Sequence, residues 1–330
     1  MQSQGIPADT ISKISGLPIP NNLYYEIAER AERVTKAQEV ILYDTTHLAE
    51  TENLYYQNHK LYKFESKIQD VFINLTDENR PNIVILEGSA FYPTSGGQVH
   101  DTGKITIDGT VYNVVNAEKV GKSVLHILDK DLVGDKENWI GKTVQCEVDE
   151  ARRSQLRAHH SGTHIIFASC RKVLGPHVWQ GGSKNDLDQA HLDITHFKSI
   201  TKEEEKQIEL AANKIIQRGA TIKKSFMEKS EAEKEYGFSL YQGGVVPGNT
   251  LRIVDIEGID TEACCGTHCD STSEVGFLKI LKTQRISDGI VRLYYCAADR
   301  AMEELGKETD LINDLCQMWE IDQSQIIQTG

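Results

Sequence analysis

Two short segments hold side chains whose types and spacing suit a metal ion. In His160-Ser-Gly-Thr-His164 two imidazoles stand at i and i+4. On a helix they lie one above the other, where both reach the same ion. About a hundred residues later, Cys264-Cys265-Gly266-Thr267-His268 repeats the spacing with Cys264 and His268. Three imidazoles and one thiolate form a tetrahedral donor set suited to one Zn²⁺. No glutamate stands inside the His160–His164 pair. The general base of a zinc protease is therefore missing, and that reaction class is set aside. A histidine pair at this spacing is also common on plain helix surfaces; the Cys/His pair is what turns the reading toward a metal. Cys265 and Cys269 read either as small buried residues or as spare ligands. His159 points off the ligand face, toward solvent or an RNA.

Two glycine-rich segments accompany these donors. Phe91-Tyr-Pro-Thr-Ser-Gly-Gly-Gln98, with Asp101-Thr-Gly103 behind it, has paired glycines that permit positive φ or close backbone approach. The spacing of a Walker phosphate loop is absent, so this is no nucleotide cradle, and a tight loop between strands is the plain alternative. Val178-Trp-Gln180-Gly-Gly-Ser183 joins flexible backbone to an amide that could line a small polar pocket, or is simply a loop.

The elements that must carry these residues emerge from periodicity. Residues 1–40 are polar and helical in pattern, best at Asn21–Lys36, and the stretch 41–62 reads as a linker or a docking surface. Between residues 66 and 150 come short β-prone runs at Val84–Leu86, Ile105–Ile107, Tyr112–Val115, Val124–Leu128 and Val144–Val148, with Asp108-Gly109 as a hairpin turn. Their spacing predicts a small β-barrel. After Glu150 the period becomes helical: Leu156, His160, His164, Phe167 and Leu174 share a face, and Gly175-Pro176 ends the helix. A strand is expected at His191–Phe197. A second helix opens with the capping box Thr201/Glu204 and closes near Gly219. Strands at 221–226, 251–256, 276–284 and 290–296, the last two joined by Asp288-Gly289, precede a helix from about 298 to 318. The expected fold is α+β, in four parts: a helical or linker segment 1–65, a small barrel 66–150, a metal-holding core 151–297, and the start of a helical region 298–330.

Composition sets the outer bounds. The chain has 330 residues, 39% hydrophobic and 26% charged, enough for two or three domains. No apolar run approaches the roughly 20 residues of a membrane helix, and the first residues lack the pattern of a secretory leader. Seven cysteines, an odd number with an adjacent pair, do not suggest a disulfide framework. A cytoplasmic location with thiols free for metal is expected. The net charge is −13, yet residues 151–224 carry 13 Lys/Arg against 7 Asp/Glu, a local +6 that leaves −19 elsewhere. Local charge governs nucleic-acid binding, so an RNA partner stays open.

Taken together, these segments resemble the editing region of alanyl-tRNA synthetases and the free-standing AlaX deacylases. The resemblance rests on Phe91–Gly103, His160–His164, Gly175–Ser183 followed by Leu192-Asp-Ile-Thr-His-Phe197, and Cys264–His268 followed by Gly276, in the family's order. His177-Val-Trp-Gln180, Tyr236-Gly237 and Leu240-Tyr-Gln-Gly-Gly-Val-Val-Pro-Gly248 are most similar to the archaeal branch. The family usually has glycine where Cys265 stands. Residues 4–65 resemble the segment joining the aminoacylation half to the editing half, and 297–330 the start of the helical C-terminal region. The class II motifs for ATP and amino acid are absent.

The resemblance implies a threonyl/alanyl-type second additional domain after the barrel and hydrolysis of Ser-tRNA(Ala), with Gly-tRNA(Ala) as a further substrate. An alanine pocket cannot strongly reject a molecule differing by one hydroxyl or one methyl, so a second sieve is useful. Zn²⁺ falls to His160, His164, Cys264 and His268. Gln180, Thr163 and Thr267 are placed in the amino-acid pocket, and Gly96, Gly97 and Gln98 on the barrel side of the cleft, facing the acceptor end of tRNA(Ala). Arg152, Arg153, Arg157, Arg171 and Lys172 are candidates for phosphates, or a solvated helix face. The zinc would orient substrate, hold the site together, or act on water if a coordination position is open. Three forms fit: the editing half or subunit of a synthetase working with a separate aminoacylation subunit, a free-standing deacylase, or a zinc-stabilised docking module without activity.

Overall fold

The computed structural model describes residues 12, 16, 43–73, 81–242 and 248–326. The helix expected at Asn21–Lys36 lies outside the described residues. From Tyr43 the chain packs against strands further along the sequence: Tyr43 and Leu48 rest on Ile83, Ile85 and Leu125, and Thr51 accepts the Val124 N–H. Strand β1 (Glu52–Asn53) and the one-turn helix α1 (Leu54–Gln57) complete this segment. The stretch read as a linker or docking surface is therefore docked, and on this chain's own barrel.

Strands β2 (Lys63–Ile73), β3 (Pro81–Leu86), β4 (Gly88–Ser89), β5 (Gly103–Ile107), β6 (Thr110–Val120), β7 (Ser123–Leu128) and β8 (Thr143–Val148) come next. All but β4 close a barrel in the order β2-β3-β7-β6-β5-β8, while β4 pairs in parallel with β1. Alternation builds the interior: Val144, Cys146 and Val148 of β8 are buried and the residues between them exposed. Between β5 and β6 the chain turns on Asp108 (φ 49°) and Gly109 (φ 79°), both left-handed as a two-residue hairpin turn requires.

Helix α2 (Glu150–Leu174) begins at Asp149, whose side chain accepts the Arg152 N–H, and ends at Gly175 with φ 117°. It is followed by β9 (Gln180–Asn185), β10 (Ala190–Thr195), α3 (Lys202–Arg218), β11 (Ile222–Glu228), α4 (Lys229–Tyr236), β12 (Thr250–Ile256), β13 (Asp260–Ala263), β14 (Leu278–Ser287), β15 (Ile290–Ala297) and α5 (Ala298–Trp319). The order β14-β15-β10-β9 makes one sheet and β11-β12-β13 another. Both expected helix boundaries of α3 are present: Thr201 and Glu204 form a capping box, and Gly219 is left-handed. The Gln180 segment, open as a loop from sequence, is a strand, because β10 offers it a free edge from Ala190 to Ile194.

The fold is α+β with a closed barrel. Ile165, Ile166 and Phe167 of α2, Ile208 and Ala212 of α3, and Leu192, Val291 and Leu293 of the four-stranded sheet form one continuous core. Helix α2 is buried on most sides, so its polar residues sit inside the protein. Among the described residues no helix is long and apolar enough to cross a membrane.

Candidate metal centre

Helix α2 brings His160 and His164 to the loop after β13, which supplies Cys264 and His268. One ligand atom from each lies within 4.8 Å of all the others. Cys264 Sγ is 3.2 Å from His160 Nε2 and 3.3 Å from His268 Nε2. Tetrahedral zinc with ordinary bond lengths separates its ligand atoms by roughly 3.3–3.6 Å. The two Cys264 separations match that spacing, and all four donors lie close enough to converge on one ion. Gly266 is part of that fit, since a Cβ there would fall 1.9 Å from His160 Cε1.

The outward ring nitrogens are held by other groups. Gln98 Oε1 accepts the Thr267 N–H at 2.9 Å, which fixes the orientation of its amide. The same oxygen lies 2.9 Å from His160 Nδ1, so that nitrogen carries the proton and Nε2 presents its lone pair toward Cys264. Ser161 Oγ faces His268 Nδ1 at 3.4 Å. His164 Nδ1 faces Glu262 at 3.4 Å and Asp260 at 3.6 Å but completes no hydrogen bond, and Glu262 Oε1 and Asp260 Oδ2 are also buried without a partner.

The electrostatics suit a metal ligand. Burial alone would raise the Cys264 thiol, but His160 and His268 beside it bring it well below its ordinary range. Burial opposes a charge on His164, yet Glu262, Asp260 and Cys264 lift it well above the usual histidine value. Burial and the neighbouring Asp260 push the Glu262 carboxyl well up. A cation held by the four donors would lie beside the Glu262 and Asp260 carboxyls, which favour positive charge there.

A cleft of about 340 Å³ opens onto the cluster. Ser95, Gly96 and Gly97 of the barrel form one wall; Gln180, Gly182 and Ser183 of β9 another; Gln242, Glu262 and Cys265 a third; His160, Thr163, His164 and Cys264 lie at its base. The barrel loop reaches across because Gly97 has no side chain: a Cβ there would sit 2.7 Å from Ser183 O. Asn185 N donates to Gly97 O, and Val99 N to Asn185 O. A larger cleft of about 610 Å³, between Tyr62, Lys104 and Glu147, shares no residue with the cluster and holds none of its donors.

Several expected roles are corrected by this geometry. Gln98 is fully buried behind His160 and does not face the cleft. Thr267 is 1% exposed, with its hydroxyl tied to Gln98, and lies behind the wall. Thr163 does reach the base of the cleft, but its hydroxyl is engaged by Asn185 and Tyr295. Gln180 stands in the wall, its amide toward Ser183. Arg153 is turned inward, ion-paired with Asp101 and bonded to Ala90 O and His59 O. Arg157 is likewise buried, on His268 O and Glu274. Neither can meet a phosphate. Arg152 is half-buried on His100 O, Arg171 lies over the Phe167 and Trp179 rings, and Lys172 is exposed. His159 is fully buried: its Nδ1 faces Asp186 O at 2.6 Å and its Nε2 the Gln155 amide at 3.0 Å. Cys269 is the small buried thiol, and Cys265 lines the cleft.

Comparison with known proteins bears directly on this arrangement. Alanine–tRNA ligase of Methanobrevibacter smithii is 35% identical over 331 residues, which is 99% of this chain and 36% of the ligase. The chain is a relative of the alanyl-tRNA synthetases. The Pyrococcus furiosus ligase is 36% identical over 337 residues, covering 100% of the chain and 36% of the ligase, and that of Ignicoccus hospitalis 39% over 327 residues, 94% and 35%. The chain thus spans about a third of the length of these archaeal relatives. Residues 251–294 match the threonyl and alanyl tRNA synthetase second additional domain, and residues 5–152 the class II (A) tRNA synthetases. The first match includes Cys264 and His268; His160 and His164 lie between the two.

Proposed function

We propose that this chain hydrolyses the aminoacyl ester of mischarged Ser-tRNA(Ala), as the editing part of an alanyl-tRNA synthetase, with one Zn²⁺ held by His160, His164, Cys264 and His268. The observation that carries this reading is the four-donor cluster at the base of a cleft, in a chain related over its length to alanine–tRNA ligases. A zinc ion held by these four residues would supply positive charge at the base of the cleft and tie helix α2 to the loop after β13.

The chain's own residues do the rest. Gln98 keeps the His160 proton on Nδ1, so the ring cannot turn its N–H into the donor set. Gly96 and Gly97 bring backbone, with no side chain between, to the edge of the cleft. The Gln180 amide is the neutral donor and acceptor placed to read a serine hydroxyl, which alanine lacks. Arg152, Arg171 and Lys172, which are not buried, are the cations left for the acceptor phosphates.

The test is deacylation of Ser-tRNA(Ala), with Ala-tRNA(Ala) as control, by purified chain of known zinc content. Selective release of serine is expected. Equal release from both substrates, or none from zinc-loaded protein with or without an added aminoacylation subunit, overturns the reading. Release only after that subunit is added would identify the chain as its editing partner.

A further inference from the structure

Phe226 is an aromatic side chain with no apolar core to serve. It is 59% exposed near the end of strand β11, while the adjacent Met227 turns toward the interior. The register across the sheet places it: Phe226 pairs with Arg252 of β12, and Cys264 N donates to Arg252 O on the far side. Two strand spacings put the Phe226 backbone roughly 10 Å from that of the metal ligand Cys264. Tyr56, brought in by α1, meets the Phe226 ring edge-on at 5.8 Å. The Arg252 guanidinium lies over the Tyr56 ring at 4.9 Å, which fixes its plane.

An open aromatic face beside a second ring, about 10 Å across the sheet from a cleft residue, is the equipment of a single-stranded nucleic-acid site. We propose that Phe226, backed by Tyr56, is the stacking platform for the unpaired 3′-terminal base of the RNA whose ester enters the cleft. The inference rests on the proposed function for the identity of that RNA. Phe226 acts on binding and does not touch the reacting atoms. Arg252 is committed to Cys264 O and Gly266 O, so it shapes the platform and does not meet a phosphate.

The experiment compares two RNA hairpins, one ending in the unpaired ACCA of an acceptor end and one lacking its last adenosine. Binding of each to metal-loaded wild type, Phe226→Ala and Phe226→Trp is measured by fluorescence anisotropy. Stacking on an aromatic side chain is worth about five- to a hundredfold per base. Wild type should favour the complete hairpin by about that factor, Phe226→Ala should lose the preference, and Phe226→Trp should keep it, with metal content unchanged throughout. A surface phenylalanine with a purely structural role would weaken both hairpins alike or neither. Equal binding of the two hairpins by wild type, or a preference that survives Phe226→Ala, overturns the platform. Deacylation is scored separately: serine release with a KM indifferent to Phe226→Ala keeps the enzyme and removes the platform. An adenosine-dependent, Phe226-dependent affinity without serine release keeps the platform and removes the hydrolase.

Discussion

The protein buries two groups of opposite charges along one helix and finishes only one of them. Near the start of α2, Arg153 and Asp101 are both fully buried and wholly satisfied. The guanidinium reaches both carboxylate oxygens and two backbone carbonyls, and Asp101 also accepts the Tyr92 N–H. Further along the helix, His164 meets Asp260 and Glu262, and each of the three retains a buried polar atom without a partner. A completed network locks two parts together. The first is a fastening between barrel and core. The second stands beside the four-donor cluster, where a bound cation would draw on its carboxyls.

Four measurements would break or sharpen that contrast. Replacing Cys264 with alanine should bring metal content from about one ion per chain to a small fraction, with deacylation lost and the apo protein unfolding as wild type does, since the fastening is untouched. Full metal in that variant would remove the ligand assignment. Arg153→Met should do the reverse, costing about 3–5 kcal/mol in denaturant unfolding by stranding the Asp101 carboxylate, while any protein that remains folded still binds metal.

A pH series comes next. Burial holds His126 in the barrel and His159 in the core neutral, each with its pKa lowered to about 4. In the unfolded chain they titrate near 6.5, so between about pH 6.5 and 4 the unfolded state binds the extra protons. Stability should be fully present above that window and fall through it, by on the order of 3 kcal/mol for His126 alone. His126→Gln should flatten the barrel's share, and an unchanged slope would contradict the buried neutral ring. The smallest effect is expected from Gln98→Leu, which keeps the volume but releases His160 Nδ1. Metal affinity should drop about ten- to a hundredfold by competition with a chelator, with little change in unfolding.

What was legible in the sequence was whatever is decided locally. The helix carrying His160 and His164, its stop at Gly175, the capping box of α3, the Asp108-Gly109 and Asp288-Gly289 turns and five of the barrel strands are all set by neighbours in the chain. Strand β2 was not, because its register shifts between Ile68 and Asp70 and again near its end, and a bulge interrupts alternation. Nor was β9, whose paired glycines have no strand propensity and which is held by β10. The donor set was readable because each half is an i, i+4 pair. The partners of those donors were not. Arg153 finds Asp101 52 residues back, and Gln98 finds His160 62 residues on, distances over which side-chain type says nothing of direction. Asp260 and Glu262, four and two residues before Cys264 on a short strand, and Ser161 beside His160 were supporting groups within local reach.

Among the ties between the barrel loop and helix α2 are Asp101 to Arg153 and Gln98 to His160. Seven residues of helix separate those attachments, a little over 10 Å. A plank bolted at both ends cannot swing. Residues 98–101 therefore ride with the helix as one piece, and that side of the cleft is already in its working shape before any substrate arrives. An incoming ester need not order it on binding, and any breathing of the entrance must come from the Gln242 and Cys265 side opposite.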